Sequence, residues 1–141
     1  MNTFSLTVLA AEKPFYEGEC VSLVFPTVDG QYGILAGHNN TISAIVPGEL
    51  KFTVPSGEVT IAAVSEGLVK VENGKVLILV DTAERPEEID ENRARHSAEQ
   101  AKEAILQKKS IQDYYAAQSR MARALSRLRV KSHGGGNSRN M

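Results

Sequence analysis

Cysteine is almost absent from this sequence, since Cys20 is the only one among 141 residues. A single thiol cannot form an intrachain disulfide, so we expect a protein held together by its core and located in a reducing compartment. Long apolar runs are also missing. The longest one, Val76 to Val80, is about a quarter of the roughly 20 residues that a membrane helix needs. The N-terminus lacks the basic start and apolar stretch of a secretory signal. We therefore expect no membrane insertion and no export.

Glycine and proline are missing from one part of the chain. All five prolines lie within the first 86 residues, and neither residue type occurs between Glu87 and His133. Charge divides in the same way, because residues 1–85 carry five basic and ten acidic residues, whereas residues 86–141 carry eleven and seven. We therefore predict a first domain at 1–85, a second at 86–131, and a glycine-containing tail at 132–141 that is disordered.

The first domain contains short segments rich in β-branched and aromatic residues. Turn-forming pairs separate them at the intervals typical of an antiparallel sandwich, and Asn73-Gly74 fits a type I′ hairpin turn. We predict an N-terminal antiparallel β-sandwich, or flattened barrel, with Val76 to Val80 in its interior. The predicted strands are Thr3–Leu9, Val21–Phe25, Thr41–Val46, Leu50–Val54, Val59–Val64, Leu68–Val71 and Lys75–Val80.

The second domain has the pattern of two helices. Pro86 suits the first turn of a helix, and the acidic residues after it favour the positive end of the helix dipole. Ser110 and Asp113 resemble a capping box that begins a second helix. Because only Leu106 to Lys109 separate the two, we predict an antiparallel helical hairpin. The predicted apolar stripes are Ile89, Ala94, Ala98, Ala101 and Ile105 on the first helix, and Ile111, Tyr114, Tyr115, Gln118, Ala122, Leu125 and Leu128 on the second.

No group of residues has the pattern of a catalytic or metal site. Cys20 and His38 could form a dyad, but the strand context of Cys20 and the turn context of His38 favour structural roles. Three histidines and one cysteine, far apart in sequence, do not match a zinc spacing. A phosphate loop would follow a strand, and the glycine-rich tail does not. We therefore predict a protein without catalytic residues or a metal.

The second predicted helix carries a basic row. Arg120, Arg123, Arg127 and Lys131, here called the cation row, fall within about 80° around the helix axis, and no acidic residue follows Tyr114. The row is either a solvated face near a helix C-terminus or a site for an anionic partner. On the first helix, Asp90 and Arg93 are spaced either for a weak surface ion pair or for a ligand.

Two segments in order carry a family resemblance. Gly30 to His38 reads Gly-Gln-Tyr-Gly-Ile-Leu-Ala-Gly-His, which is similar to a Gly-x-x-Gly-Ile-Leu-Pro-Gly-His segment with Ala36 in place of proline. Glu66 to Val71, followed by Asn73 and the run from Val76 to Ala83, looks like the end of the same family's β domain. Over about residues 3–131, the sequence resembles the epsilon subunits of bacterial F-type ATP synthases.

The resemblance implies a non-catalytic rotor subunit that couples proton flow to ATP synthesis. Its β domain would bind the central-stalk gamma subunit and the c-ring, and its position would be peripheral, at the cytoplasmic face of the bacterial cell membrane. In this family the hairpin can extend toward the alpha/beta catalytic hexamer and inhibit ATP hydrolysis through basic residues. The residues implied here are those of the cation row.

The resemblance also implies a regulatory ligand, although no cofactor is required. Ile89 to Ala94 resembles the Ile/Leu-Asp-x-x-Arg-Ala motif with which some epsilon subunits bind ATP. Gln100 stands where a further arginine is often found. The candidate ATP-binding residues that the motif implies are Glu84, Ile89, Asp90, Arg93, Ala94, Arg123 and Arg127.

Two other classes of function remain as alternatives. A small nucleic-acid-binding adaptor could use the basic helix on phosphates, but the β domain lacks the interleaved aromatic residues of single-strand binders and the pI is about 6.3. A stand-alone hydrolase would need a catalytic group that the sequence does not suggest. The family resemblance implies no nucleic-acid partner.

Overall fold

The computed structural model describes residues 2–107 and 111–140. Two five-stranded sheets form the N-terminal part, in the orders β2-β1-β9-β8-β5 and β10-β7-β6-β3-β4. We call them the first and the second sheet. The strands are β1 Phe4–Ala10, β2 Pro14–Cys20, β3 Ser22–Thr27, β4 Gly30–Leu35, β5 Thr41–Ile45, β6 Gly48–Thr53, β7 Val59–Val64, β8 Gly67–Glu72, β9 Lys75–Val80 and β10 Ala83–Glu84.

The predicted β-sandwich is confirmed, with one exception to its antiparallel pairing. Strand β1 pairs with β9 in parallel, while the other strand pairs are antiparallel. The predicted turn at Asn73-Gly74 is present with φ values of 52° and 76°, as a type I′ turn requires. Strand β9 lies inside the first sheet, where Val76 and Ile78 are buried.

Three strands were not predicted from the sequence, and all three lie at sheet edges. Strand β2 contains Pro14, Gly18 and two glutamates, and β4 contains two glycines. Edge strands tolerate such residues because one side of the strand makes no ladder hydrogen bonds. Strand β10 is only two residues long and pairs with β7. The residue composition therefore indicated the central strands but did not indicate these three edge strands.

The core of the sandwich lies between the sheets. It includes Phe4, Leu6 and Val8 from β1, and Leu23 and Phe25 from β3, all nearly inaccessible to solvent. A second, smaller cluster joins the sandwich to the helices. In it Ala63 of β7 packs with Ile89 and Val130.

The helical part begins with a short turn and continues with two helices. A 3₁₀ turn spans Pro86–Glu88, followed by α1 Glu91–Gln107 and α2 Ile111–Asn140. Pro86 therefore opens the 3₁₀ turn, not α1. The predicted capping box falls on Ser110, which lies outside the described residues. In the described part of the chain, no helix has both the length and the apolar character needed to cross a bilayer.

Helix α2 continues to Asn140, through the segment 132–140 for which the sequence predicts a disordered tail. Contacts with the rest of the protein accompany this extension. The Lys131 ammonium donates to the Pro86 carbonyl at 3.0 Å, and His133 Nδ1 donates to Glu49 Oε1 at 2.7 Å. A Cβ on Gly134 would lie 2.5 Å from the Pro86 Cβ, so only glycine allows this close passage.

Of the two predicted apolar stripes, the one on α1 is buried and the one on α2 is largely not. On α1, Ala94, Ala98 and Ala101 are buried as predicted. On α2 the prediction was wrong, since Tyr115 is 62% and Leu125 is 41% exposed. Among the α2 side chains that the structure describes, the buried ones are Ala117, Ala124, Ser126 and Val130. Helix α2 contacts α1 and also the second sheet through β6 and β7, so its buried surface is broader than one stripe.

Candidate functional site: a charged groove and the cation row

A groove of about 500 Å³ lies where the helices meet the end of the sandwich. Asp90 and Arg93 reach it from the start of α1, and Glu84 and Arg127 reach it from β10 and α2. Together with Ala94, these are five of the seven candidate ATP-binding residues. The other lining residues, which were not predicted from the sequence, are Glu12, Glu88 and Ser97. Glu12 precedes β2 and is distant in sequence, so no motif could have indicated it.

The remaining two candidate residues are not in the groove lining. Ile89 is buried against Ala63 and Val130, so it supports the start of α1 from behind. Arg123 donates from Nη1 to Glu66 Oε1 at 2.8 Å and borders a separate small crevice with Ser65 and Thr82. The structure thus places both residues beside the groove, as packing and pairing residues.

Most of the charged groups in the groove already have partners. Arg127 Nε donates to Glu84 Oε1 at 2.6 Å, with both side chains about three-quarters buried. Asp90 Oδ1 accepts the Arg93 backbone N–H at 3.0 Å and so caps α1. The predicted Asp90–Arg93 surface ion pair is therefore absent, because the carboxylate contacts the backbone of Arg93. In the described part of the chain, the Arg93 guanidinium and the Glu12 carboxylate make no hydrogen bond or ion pair.

Glu88 fixes the 3₁₀ turn below the groove. Its Oε1 accepts the Arg85 backbone N–H at 2.9 Å, and its Oε2 lies 3.6 Å from Lys13 Nζ. The hydrogen bond from the Arg85 backbone, and then the Lys13 charge, lower the pKa of Glu88 below its usual value. Both interactions favour the ionised carboxylate.

We expect Glu88→Gln to lower the free energy of unfolding by about 0.5–1 kcal/mol at neutral pH, because the amide still accepts the Arg85 N–H but loses the negative charge that strengthens this hydrogen bond and attracts Lys13. The pKa of Glu88 is lower in the folded state, so its contribution is present above the unfolded value of about 4.3 and disappears as the pH falls through the lower folded value. Chemical denaturation of both proteins at neutral pH and at about pH 3 measures this. A stability difference that persists undiminished in acid would contradict it.

Three of the four side chains of the cation row contact the sandwich or the 3₁₀ turn. Arg123 pairs with Glu66, Arg127 pairs with Glu84, and the Lys131 ammonium binds the Pro86 carbonyl. Arg120 is exposed and makes no such contact within the described residues. A fully solvated face is therefore wrong for three of the four residues. In this conformation the chain supplies acidic partners for Arg123 and Arg127 and a backbone carbonyl for Lys131.

The Cys20–His38 dyad is not formed. The Cys20 thiol is buried and lies 3.1 Å from the Ser22 carbonyl and 3.4 Å from that of Thr53, and burial raises the pKa of this thiol. His38 Nε2 instead lies 3.0 Å from the Tyr32 hydroxyl. Among the residues that the structure describes, no three histidine, cysteine or carboxylate side chains form a metal-binding group.

Two family models match the chain. They are "ATP synthase, Delta/Epsilon chain, beta-sandwich domain" over residues 3–86 and "ATP synthase, Delta/Epsilon chain, long alpha-helix domain" over residues 87–132. Curated relatives named ATP synthase epsilon chain include one from Ruminiclostridium cellulolyticum, 41% identical over 91% of this chain and 95% of its own length. Another, from Caldanaerobacter subterraneus subsp. tengcongensis, is 39% identical over 92% of this chain and 94% of its own length.

Solved structures with the same fold include a chain of the Euglena gracilis mitochondrial ATP synthase, in a structure of OSCP, F1 and c-ring. It aligns with a TM-score of 0.76 at 22% identity, over 94% of this chain and 81% of that one. A chain of the Tetrahymena thermophila mitochondrial ATP synthase central stalk and c-ring aligns with a TM-score of 0.62 at 18% identity, over 90% and 95% of the two chains.

Proposed function

The chain belongs to the ATP synthase delta/epsilon chain family, and from this we propose that its sandwich docks at the central stalk while its helical hairpin regulates ATP hydrolysis. As an epsilon chain it is a non-catalytic subunit of the complex. The proposal requires no catalytic group in this chain. It places the sandwich against the gamma subunit and the c-ring, and so holds the protein at the membrane surface through its partners.

Docking of the sandwich is supported by exposed apolar residues on the outer face of the first sheet. Leu68 of β8 is 50% exposed and Leu79 of β9 is 43% exposed, and the two are directly opposite each other in the ladder. Ala44 of the edge strand β5 is opposite Leu68, and Ile42 on the same strand is also exposed. Such a continuous apolar face is typical of a protein interface. We assign it to the gamma subunit.

Inhibition of hydrolysis is supported by the state of the cation row. Three of its four residues are held by acceptors of the sandwich or of the adjoining 3₁₀ turn, so they are unavailable to another anionic surface while α2 stays in this position. The same cations become free when α2 leaves. The hairpin can then present them to acidic loops of the catalytic hexamer. Deleting the hairpin from the assembled complex tests this role.

Regulation by ATP is supported by the groove. Its volume of about 500 Å³ falls within the range of small-molecule sites, about 300–1,000 Å³. Arg93 offers an unpaired guanidinium, which matches phosphate oxygens well. The other arginine in the lining, Arg127, must exchange Glu84 for phosphate. Because four carboxylates face two guanidiniums there, we expect weak binding that favours the closed hairpin.

Titration of the full-length protein with ATP tests the groove. We expect saturable binding, weakened about tenfold by Arg93→Ala because a charge-assisted pair to phosphate is lost. Glu12→Gln should tighten binding severalfold, since an unpaired negative charge is removed. Arg95→Ala is the matched control, because Arg95 pairs with Glu91 on the surface of α1 and does not line the groove. No saturable binding up to millimolar ATP would rule out this role.

A further inference from the structure

Among the described residues, one carboxylate of the groove lining has no partner. Glu12 lies in the turn between β1 and β2 and is exposed. The backbone of this turn is held at two points. The Ala10 N–H donates to the Lys13 carbonyl at 3.1 Å, and the Ala11 N–H donates to the Asp81 carbonyl at 3.1 Å. The Glu12 carboxylate is therefore presented to the groove from a fixed turn.

The other three carboxylates of the lining are each engaged through one oxygen. Glu84 Oε1 accepts from Arg127, and Glu88 Oε1 accepts from the Arg85 backbone N–H. Asp90 Oδ1 accepts a backbone N–H at the start of α1. A cation that enters the groove therefore meets the least competition at Glu12, where both carboxylate oxygens are free.

The lining also carries an excess of negative charge. Four carboxylates stand against two guanidiniums. A free nucleoside triphosphate adds about four negative charges at neutral pH, and like charges repel more strongly in a partly enclosed groove than in bulk water. Arg93 attracts the phosphates, whereas Glu12 repels them. A divalent cation bound to the phosphates neutralises two of their charges and turns the repulsion at Glu12 into an attraction.

We propose that Glu12 makes the groove selective for the Mg²⁺ complex of ATP over free ATP, with Mg²⁺ held between the Glu12 carboxylate and phosphate oxygens. This inference rests on the regulatory ATP site proposed above and adds the form in which the nucleotide binds. Mg²⁺ usually keeps several waters and is bound by one or two carboxylates together with substrate phosphates. One carboxylate is then sufficient, and a group of three metal-ligating side chains, which the described residues lack, is not needed.

Titration of the full-length protein with ATP, in EDTA or in excess Mg²⁺ at equal ionic strength, tests this selectivity. We expect ATP to bind about tenfold more tightly with Mg²⁺, because an attractive contact at Glu12 replaces a repulsive one. Mg²⁺ without ATP should give no saturable binding in the same range, since a single carboxylate holds the hydrated ion weakly. Saturable binding of Mg²⁺ alone would contradict a metal that the nucleotide brings.

Glu12→Gln should have opposite effects in the two conditions. In EDTA it removes a repulsive charge, so we expect binding about threefold tighter. With Mg²⁺ it removes a ligand of the metal, so we expect binding about threefold weaker. The variant should therefore bind ATP about equally with and without Mg²⁺. Because Glu12 is exposed in a turn, the variant should fold normally, which thermal unfolding checks.

Glu87→Gln is the matched control. Glu87 precedes Glu88 in the 3₁₀ turn, is exposed and does not line the groove. Its substitution changes the net charge of the protein by the same amount as Glu12→Gln does. We expect this variant to keep the preference for Mg²⁺ of about tenfold, since solvent and salt screen a charge outside the groove.

The outcomes separate this inference from the ATP site itself. If ATP binds equally well in EDTA and in Mg²⁺, or if Glu12→Gln keeps the full preference for Mg²⁺, the inference is wrong and the ATP site stands. A shift of affinity in the same direction in both conditions would overturn it in the same way. If the unmodified protein shows no saturable binding in either condition, the regulatory ATP site is wrong as well.

Discussion

Truncation after Arg85 should raise ATP hydrolysis by the assembled complex several-fold. The deletion removes α1 and α2 and with them all four cations of the cation row. It leaves β10 paired with β7 and keeps the Arg85 guanidinium over the Phe15 ring at 4.2 Å, so the sandwich should still fold and assemble. Steady-state hydrolysis by complexes reconstituted with the full-length or the shortened chain measures the effect.

Arg120 provides a sharper version of the same test. It is the member of the cation row that makes no ion pair or hydrogen bond in the described part of the closed structure, so Arg120→Glu should not disturb docking of α2. Any gain in hydrolysis then comes from a weaker contact with the catalytic subunits. Arg95→Glu, on the exposed side of α1, controls for the change in net charge. If neither the truncation nor Arg120→Glu changes hydrolysis, the hairpin does not inhibit this enzyme.

The double substitution Leu68→Asp with Leu79→Asp should abolish binding to the gamma subunit. Both leucines lie on the outer face of the first sheet and are directly opposite each other in the ladder. Placing two carboxylates at the centre of an apolar interface buries unpaired charge, and leaving one charge buried without a partner costs about 3–5 kcal/mol. We therefore expect a loss of affinity of about 100-fold or more, measured by titration of the purified gamma subunit.

The fold of the sandwich should survive this double substitution, because both leucines already face solvent. Thermal unfolding checks this. Leu106→Asp is the matched control, since Leu106 is an exposed leucine near the end of α1, far from the first sheet. Undiminished binding by the double variant would exclude this face as the contact with gamma and would point to another surface of the sandwich.

Local sequence patterns predicted burial correctly where a helix packs against only one neighbouring element. The stripe of Ala94, Ala98 and Ala101 was predictable because α1 buries one narrow face. The stripe on α2 was not, because α2 packs against α1 and the second sheet together. The bonding of Asp90 was also ambiguous in sequence. The same spacing that permits an ion pair with Arg93 permits a cap on the Arg93 backbone.

The candidate site depended on contacts that no motif encodes. Five of the groove residues followed from the family resemblance, but Glu12 approaches from the turn between β1 and β2. Likewise, the partners of the cation row come from β10, the β7–β8 turn and the 3₁₀ turn. Which acceptor meets which cation depends on how the strands pair and where the 3₁₀ turn lies, and strand pairing links residues distant in sequence.

Ser126 of α2 introduces an energetic conflict into the closed conformation. It is 3% exposed, and its hydroxyl has no hydrogen-bond partner among the residues that the structure describes. A buried hydroxyl that loses water without gaining a protein partner costs about 1–3 kcal/mol, comparable to what a partly exposed ion pair contributes. An alanine there would make α2 adhere more firmly. The serine therefore makes the closed conformation less stable, which favours the release of α2 that the proposed inhibition requires.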